Sequence, residues 1–252
     1  MATYKDLIGT AVRNNAGNLS EGQKDQIFYD STNIDFKYQF AAVTSAGTWS
    51  TGNDLNTARR ALGAAAGSGT QALAISGDED PPVTAIVEQW NGGSWTEVSD
   101  LSKAKRSNGM AGTNTAGLLF GGVTAPPTTT LAETESWNGT SWTNIGALPT
   151  NIYGNAGFGT SALAIACGGL PPGTDTNANM RAAMFYNGTS WSDVAEMATS
   201  RASANGAGTN TSATNGLAFG GYNPLNAPGF DDDANKTEEW TVDLGNKTIT
   251  TS

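Results

Sequence analysis

The chain has 252 residues, 23 acidic side chains against 13 Lys and Arg, a net charge of -10, one cysteine and no histidine. So acidic a chain lacks the electrostatic footprint of a phosphate or nucleic-acid binder, and without imidazole it cannot build a Ser-His-Asp triad, a Cys-His pair or a histidine zinc site. A lone Cys167 forms no disulfide framework, and no apolar stretch is long enough for a signal-peptide core or a membrane span.

Residues 1–24 have no counterpart later in the chain. Lys5 to Arg13 reads as a short helix that Gly9, Asn14, Asn15 and Gly17 end quickly. Leu7, Ile8 and Val12 stand among polar neighbours and cannot form a core of their own, so the segment reads as a docking arm that orders against another subunit. From Asp25 the text turns to strands, Gln26–Tyr29 and Phe36–Val43 around Asp30–Asn33, followed by Gly47-Thr-Trp49. Residues 25–52 read as a divergent first repeat.

Four fuller units follow. Each opens with a small-residue strand: 61–67, 107–112, 154–159 and 203–208. Next comes an apolar strand ending in small residues, Ala72–Gly77, Leu118–Gly122, Leu163–Gly169 and Leu217–Gly221, the pattern of a strand buried on both faces. A loop then leads to a hairpin that is nearly spelled out three times: Glu88-Gln-Trp-Asn-Gly-Gly-Ser-Trp95, Glu135-Ser-Trp-Asn-Gly-Thr-Ser-Trp142 and Met184-Phe-Tyr-Asn-Gly-Thr-Ser-Trp191. A worn copy begins at Glu238-Glu-Trp240 and lacks the closing Trp. Asn-Gly between two extended arms is a tight-turn signal, because both residues tolerate positive φ. The closing aromatic recurs at Trp49, Trp95, Trp142 and Trp191, at steps of 46, 47 and 49 residues, and a period of about 40 to 50 residues is that of propeller blades. Identical placement in every unit makes Trp95, Trp142 and Trp191 packing wedges between blades.

The order of a Gly-Gly strand end (Gly121-Gly122), a long loop, an aromatic a few residues before a Trp (Trp137, Trp142) and an Arg opening the next strand (Arg60, Arg106, Arg201) resembles the kelch repeat over about residues 49–252. Tyr153-Gly154 departs from the Arg in one unit and Ser76 from the first Gly in another. The resemblance implies an all-β fold, a kelch-like β-propeller of five blades over residues 25–252 with the short N-terminal arm 1–24; a four-bladed ring with 25–52 docked elsewhere is the alternative. The brevity of Trp-Asn-Gly-Thr-Ser-Trp, together with Leu55-Asn-Thr-Ala-Arg-Arg60, is similar to kelch-like virion proteins of tailed bacteriophages, notably cyanophages. That resemblance implies a non-enzymatic tail-fibre or appendage protein, located in the virion, that docks on other virion proteins and presents loops to a host-surface glycan or protein. It leaves self-association open. A cellular kelch-type interaction module is the alternative reading, and a carbohydrate-active enzyme a more distant one.

Strand alternation puts the Asn-Gly turns on one face and the loops after Gly-Gly, with the links between blades, on the other. Eight of the nine prolines fall in those loops, stiffening them, and stiffened loops on a rigid scaffold are where binding surfaces are commonly placed. The candidate binding residues on that face are Arg59, Arg60, Arg106 and Arg201 with the acidic clusters Asp78-Glu79-Asp80 and Asp231-Asp232-Asp233. Some of the cations are expected to tie neighbouring blades together. Neither acidic cluster has the alternating carboxylates and Gly of a calcium loop, so no metal and no cofactor is expected. The copper chemistry of galactose oxidase, a kelch propeller, needs imidazole ligands that this chain lacks, and no carboxylate pair is placed by motif for glycoside hydrolysis.

Overall fold

The structure, a computed structural model, describes residues 13–15, 26–30, 35–39, 49–79, 82–125, 127–172, 179–208, 213–223 and 235–242, with 13–39 and 64–68 described by backbone alone. The chain divides into two compact units, Met1–Thr51 and Gly52–Ser252. Both are built of β-strands, and among the described residues the one helical turn is a 3-10 turn at Asn179–Arg181.

In the first unit, β1 (Arg13–Asn15) pairs in parallel with β2 (Gln26–Asp30), which pairs antiparallel with β3 (Asp35–Gln39). The two strands expected around Asp30–Asn33 are therefore present. The expected helix over Lys5–Arg13 lies outside the described residues except at Arg13, which opens a strand.

The second unit repeats one antiparallel sheet. The first sheet is β4 (Gly63–Ser68), β5 (Gln71–Asp78), β6 (Val83–Trp90) and β7 (Trp95–Glu97), in that order. The second is β8 (Gly109–Gly112), β9 (Gly117–Phe120), β12 (Glu133–Trp137) and β13 (Trp142–Ala147), its long loop carrying a small hairpin, β10 (Val123–Thr124) and β11 (Thr129–Thr130). The third is β14 (Ala156–Gly159), β15 (Ala164–Cys167), β16 (Ala183–Tyr186) and β17 (Trp191–Asp193). The fourth comprises β18 (Asn205–Gly208), β19 (Asn215–Phe219) and β20 (Thr237–Thr241), with no outer strand among the described residues.

Left-handed backbone bounds the strands. In all four sheets the small-residue strand begins two residues later than its composition suggests, because Ala61, Ser107, Gly154 and Ser203 sit at φ 52°, 54°, 63° and 53°. At the other end, Gly121-Gly122, Gly168-Gly169 and Gly220-Gly221 all have positive φ, and Ser76-Gly77 takes the same conformation in the first sheet. A Cβ on Gly122 would lie 2.9 Å from the Arg106 carbonyl oxygen, so close backbone approach and positive φ both require glycine there.

The sheets stack through faces fixed by strand alternation. Leu73 and Ile75 of the first sheet pack with Leu119 of the second; Leu118 and Phe120, on the opposite face of β9, pack with Ala164 and Ala166 of the third; Ile165 and Cys167 then pack with Ala218 of the fourth. The first strands β4, β8, β14 and β18 are neighbours in succession. A chain of backbone hydrogen bonds runs through the left-handed residues: Ser203 N–H donates to Gly154 O, Gly154 N–H to Ser107 O, and Ser107 N–H to Ala61 O, at 2.7, 2.6 and 3.1 Å. Ala and Gly fill the first strands because sheet-to-sheet approach is closest there. The face that would continue the succession, carrying Leu217 and Phe219, is exposed at 37% for each, whereas their counterparts Leu118 and Phe120 are wholly buried.

The hairpin turns follow the text with one difference. Gly92, Gly139 and Gly188 have φ near 96°, but the Asn before each keeps negative φ and works through its side chain. Asn138 Oδ1 accepts the N–H groups of Thr140 and Ser141, and Asn91 and Asn187 do the same in their turns. This is the Asx-turn use of Asn.

Candidate binding face

The links between sheets and the loops after the Gly-Gly pairs share the end opposite the Asn-Gly turns, and the charged candidates sit there. Each link crosses the third strand of the sheet it enters. In the first, second and fourth sheets a glutamate two residues before the hairpin aromatic receives it at the crossing. Glu88 accepts the N–H groups of Asn56 (2.7 Å) and Thr57 (3.3 Å), Glu135 that of Ser102 (2.9 Å), and Glu238 those of Ala198 (2.6 Å) and Thr199 (3.1 Å).

The same carboxylates are paired with cations. Arg59 Nη2 lies 2.7 Å from Glu88 Oε1 with both side chains fully buried; Lys105 Nζ lies 2.9 Å from Glu135 Oε1, equally buried; Arg201 Nη2 lies 2.9 Å from Glu238 Oε1. Arg59 and Arg201 also repeat each other's backbone contacts, Arg59 donating to Ser76 O and Ile86 O, and Arg201 to Gly220 O and Lys236 O. These positions correct the sequence alignment of the repeats. Arg201 corresponds to Arg59 and Lys105, whereas Arg60 and Arg106 correspond to Tyr153 and Ala202, the residues that bridge each sheet's opening to its Gly-Gly end. In the third sheet Ile152 takes the cation's place, Met184 the glutamate's, and Pro149, which has no N–H, stands where Ser102 donates. All three polar partners are replaced together.

Arg59 and Arg201, read from the sequence as candidates for binding, are thus committed to the scaffold. Arg60 and Arg106 approach one acceptor from two sheets, Asp78 Oδ2, at 3.7 and 3.2 Å; the Asp78 side chain is 10% exposed, that of Arg106 35% and that of Arg60 62%. Asn108 Nδ2 donates to Ser76 Oγ at 2.9 Å beside them. Glu79 is exposed, its N–H bonded to Pro82 O. Asp80, Asp231, Asp232 and Asp233, and the arm residues Leu7, Ile8 and Val12, lie outside the described residues. Lys103 with Glu133 and Arg181 with Glu196 form outer pairs of the kind that contributes little.

Two groups have shifted proton affinities. Burial raises the Glu238 carboxyl, but hydrogen bonds from the Thr199 hydroxyl, the Ala198 and Thr199 N–H groups and Arg201 outweigh it and hold the carboxyl below its ordinary value. Burial pushes the Cys167 thiol up to about 12, against the lowering influence of Arg201. So shifted, Cys167 is not a nucleophile at neutral pH. Among the described residues no group of three or more His, Cys, Asp or Glu could hold a metal ion, and no helix is long and apolar enough to cross a membrane.

The aromatic wedges differ in depth. Trp191 is 8% exposed, packs edge-on against Phe120 of the preceding sheet with ring centroids 5.0 Å apart, and donates its indole N–H to Thr134 Oγ1 at 2.9 Å. Trp142 packs partly buried against the cluster of the first and second sheets, and Trp95 stacks on Trp90 at 5.4 Å within its own hairpin. Trp49 is fully exposed and takes no wedge position. The first aromatics anchor their own sheet: Trp90, Trp137 and Trp240 donate to the carbonyls of Gly69, Asn114 and Ala213.

Comparison of the chain with protein-family models finds no match, and comparison with curated proteins finds none.

Sequence reasoning missed Glu88 and Glu135, and it placed Glu238 only beside the acidic cluster 231–233 and not as the partner of Arg201. Their signal was present as the Glu-x-Trp opening of three hairpins, absent in the Met184-Phe-Tyr copy.

Proposed function

We propose that the chain is a non-enzymatic virion component of a tailed bacteriophage, a tail-fibre or appendage protein whose kelch-like propeller presents its loop face to a host-surface glycan or protein or to a neighbouring virion protein. The observation that carries the reading is the commitment of the repeated charges to scaffolding: Arg59, Lys105 and Arg201 are each bonded to a glutamate of the sheet they enter, so what differs between repeats is the loops. The wedge Trp191 and the buried Trp137 likewise serve packing. The phage context rests on the resemblance of the hairpin text and of Leu55–Arg60. Five blades close the ring in this reading, the four sheets of the second unit and a first blade from residues 25–52, and the arm 1–24, of which Arg13–Asn15 pairs with β2, docks on another virion protein.

The test is to locate the protein in purified particles by mass spectrometry and antibody labelling, and to repeat this with residues 2–24 deleted. Labelling at the tail or an appendage, lost on deletion of the arm, is the expected result. A protein absent from particles and present in the infected cell would overturn the virion reading in favour of an interaction module. Normal incorporation of the truncated chain would overturn the docking role of the arm alone.

A further inference from the structure

The residues that open the four inner strands form a row across the loop end of the second unit. Arg60, Arg106, Tyr153 and Ala202 are each bridged to the residue that follows the glycine end of the second strand: Asp78, Val123, Leu170 and Tyr222. The residue after each of the four is the one that passes a backbone hydrogen bond to the next sheet. Backbones bonded in this way lie about 5 Å apart, so Arg60, Arg106 and Tyr153 stand side by side. Ala202 and Tyr222 exchange both backbone bonds, at 2.8 and 3.0 Å, and their side chains therefore share a face. Tyr153 packs on Ala202 from the third sheet, which sets both tyrosines beside one small residue, and Tyr222 is 40% exposed.

Arg106 differs from the scaffold arginines in how few bonds it makes. Arg59 and Arg201 each donate four hydrogen bonds. Arg106 donates one, from Nη1 to Asp78 Oδ2 at 3.2 Å, and its Nε and Nη2 have no acceptor among the described residues. Asp78 is itself shared between Arg60 and Arg106, two guanidiniums against one carboxylate. A partly exposed guanidinium with N–H groups to spare takes a carboxylate two bonds at a time. A tyrosine offers a flat apolar body with a hydroxyl at its tip. We infer that Arg106, Tyr153 and Tyr222 form a subsite for an acidic sugar, its carboxylate on Arg106 and the adjoining ring against the tyrosines. This rests on the loop face being a binding surface and adds the class of ligand. A carboxylate alone would use only the arginine and a neutral sugar only the tyrosines, whereas the row sets the two chemistries next to each other.

The probe is a disaccharide of glucuronate and glucose, titrated by calorimetry into the full chain, with cellobiose, acetate and the dipeptide Glu-Glu as comparisons. Cellobiose and acetate should each bind at least about tenfold more weakly than the acidic disaccharide, since a hydrogen bond to a charged group is worth more than one decade in affinity. Arg106→Lys keeps a cation beside Asp78 but not the fork, and should weaken the acidic disaccharide at least about tenfold with Tm unchanged. Tyr222→Ala removes an exposed ring and should weaken it too; where Arg106→Lys melts lower, this variant decides. No binding of the acidic disaccharide, cellobiose or acetate binding equally well, or both variants binding as the full chain does would overturn the subsite. Tighter binding of Glu-Glu would assign the face to a protein partner and would overturn the sugar as well. The titrations use the isolated chain, so they succeed or fail independently of whether the protein is found in particles.

Discussion

Lys105 and Glu135 can be exchanged for the pair that the third sheet carries at the same positions, Ile152 and Met184. Glu135→Met alone leaves the Lys105 ammonium fully buried with its 2.9 Å partner gone, and breaking a buried pair from one side costs about 3–5 kcal/mol. Lys105→Ile alone strands the Glu135 carboxylate, which still accepts the Ser102 N–H, and should cost a similar amount. The double variant removes both charges and puts in their place a pair that is wholly buried in the third sheet, where Ile152 and Met184 belong to one apolar cluster. Replacing buried ion pairs by apolar groups ranges from neutral to about 1–4 kcal/mol stabilising. Against this stands the Ser102 N–H, left without an acceptor at about 1–3 kcal/mol, so the double should fall within about 2 kcal/mol of the wild type. The assay is urea unfolding of the four proteins of the cycle, with m compared so that a changed unfolded state is not read as stability. Additive losses, the double falling about 6 kcal/mol or more, would refute the view that these charges serve chiefly each other.

Trp191→Ala should cost about 3–5 kcal/mol, because it empties a buried ring site against Phe120 and orphans Thr134. Trp95→Ala, removing a half-buried ring that stacks within its own hairpin, should cost less by urea unfolding. Gly122→Ala should be strongly destabilising, since its Cβ meets the Arg106 carbonyl at 2.9 Å and φ is 101°. Ala61→Gly, at φ 52°, should be neutral to about 1 kcal/mol stabilising, read by the shift in Tm. The depressed Glu238 carboxyl contributes stability that is fully present above the ordinary carboxylate value of 4.5 and is lost as pH falls from there through its folded value; Glu238→Gln should flatten that part of a stability-against-pH curve measured by thermal melts.

The repeat, the strand types and the tight turns were legible in the sequence because they depend on neighbours along the chain. Alternation, glycine and Asx chemistry act within a few residues, so Trp-Asn-Gly-Thr-Ser-Trp reads as a hairpin wherever it lies. The limits of the small-residue strands were not legible, because Ala61, Ser107 and Ser203 turn left-handed only to pass a backbone hydrogen bond between adjacent sheets. Nor was the fate of the cations. Arg59 and Arg60 are adjacent and chemically identical, yet the first is buried on Glu88, 29 residues on, while the second is mostly exposed beside Asp78. Their difference arises from which side of the link faces the entered sheet. The same holds for Leu118 and Leu217, alike in sequence context: one is wholly buried against the following sheet and the other is 37% exposed. Sequence determined what each repeat would build, and tertiary structure decided which copies of a residue met a partner, because burial and charge pairing are set by the neighbouring sheet and not by the strand that carries the side chain.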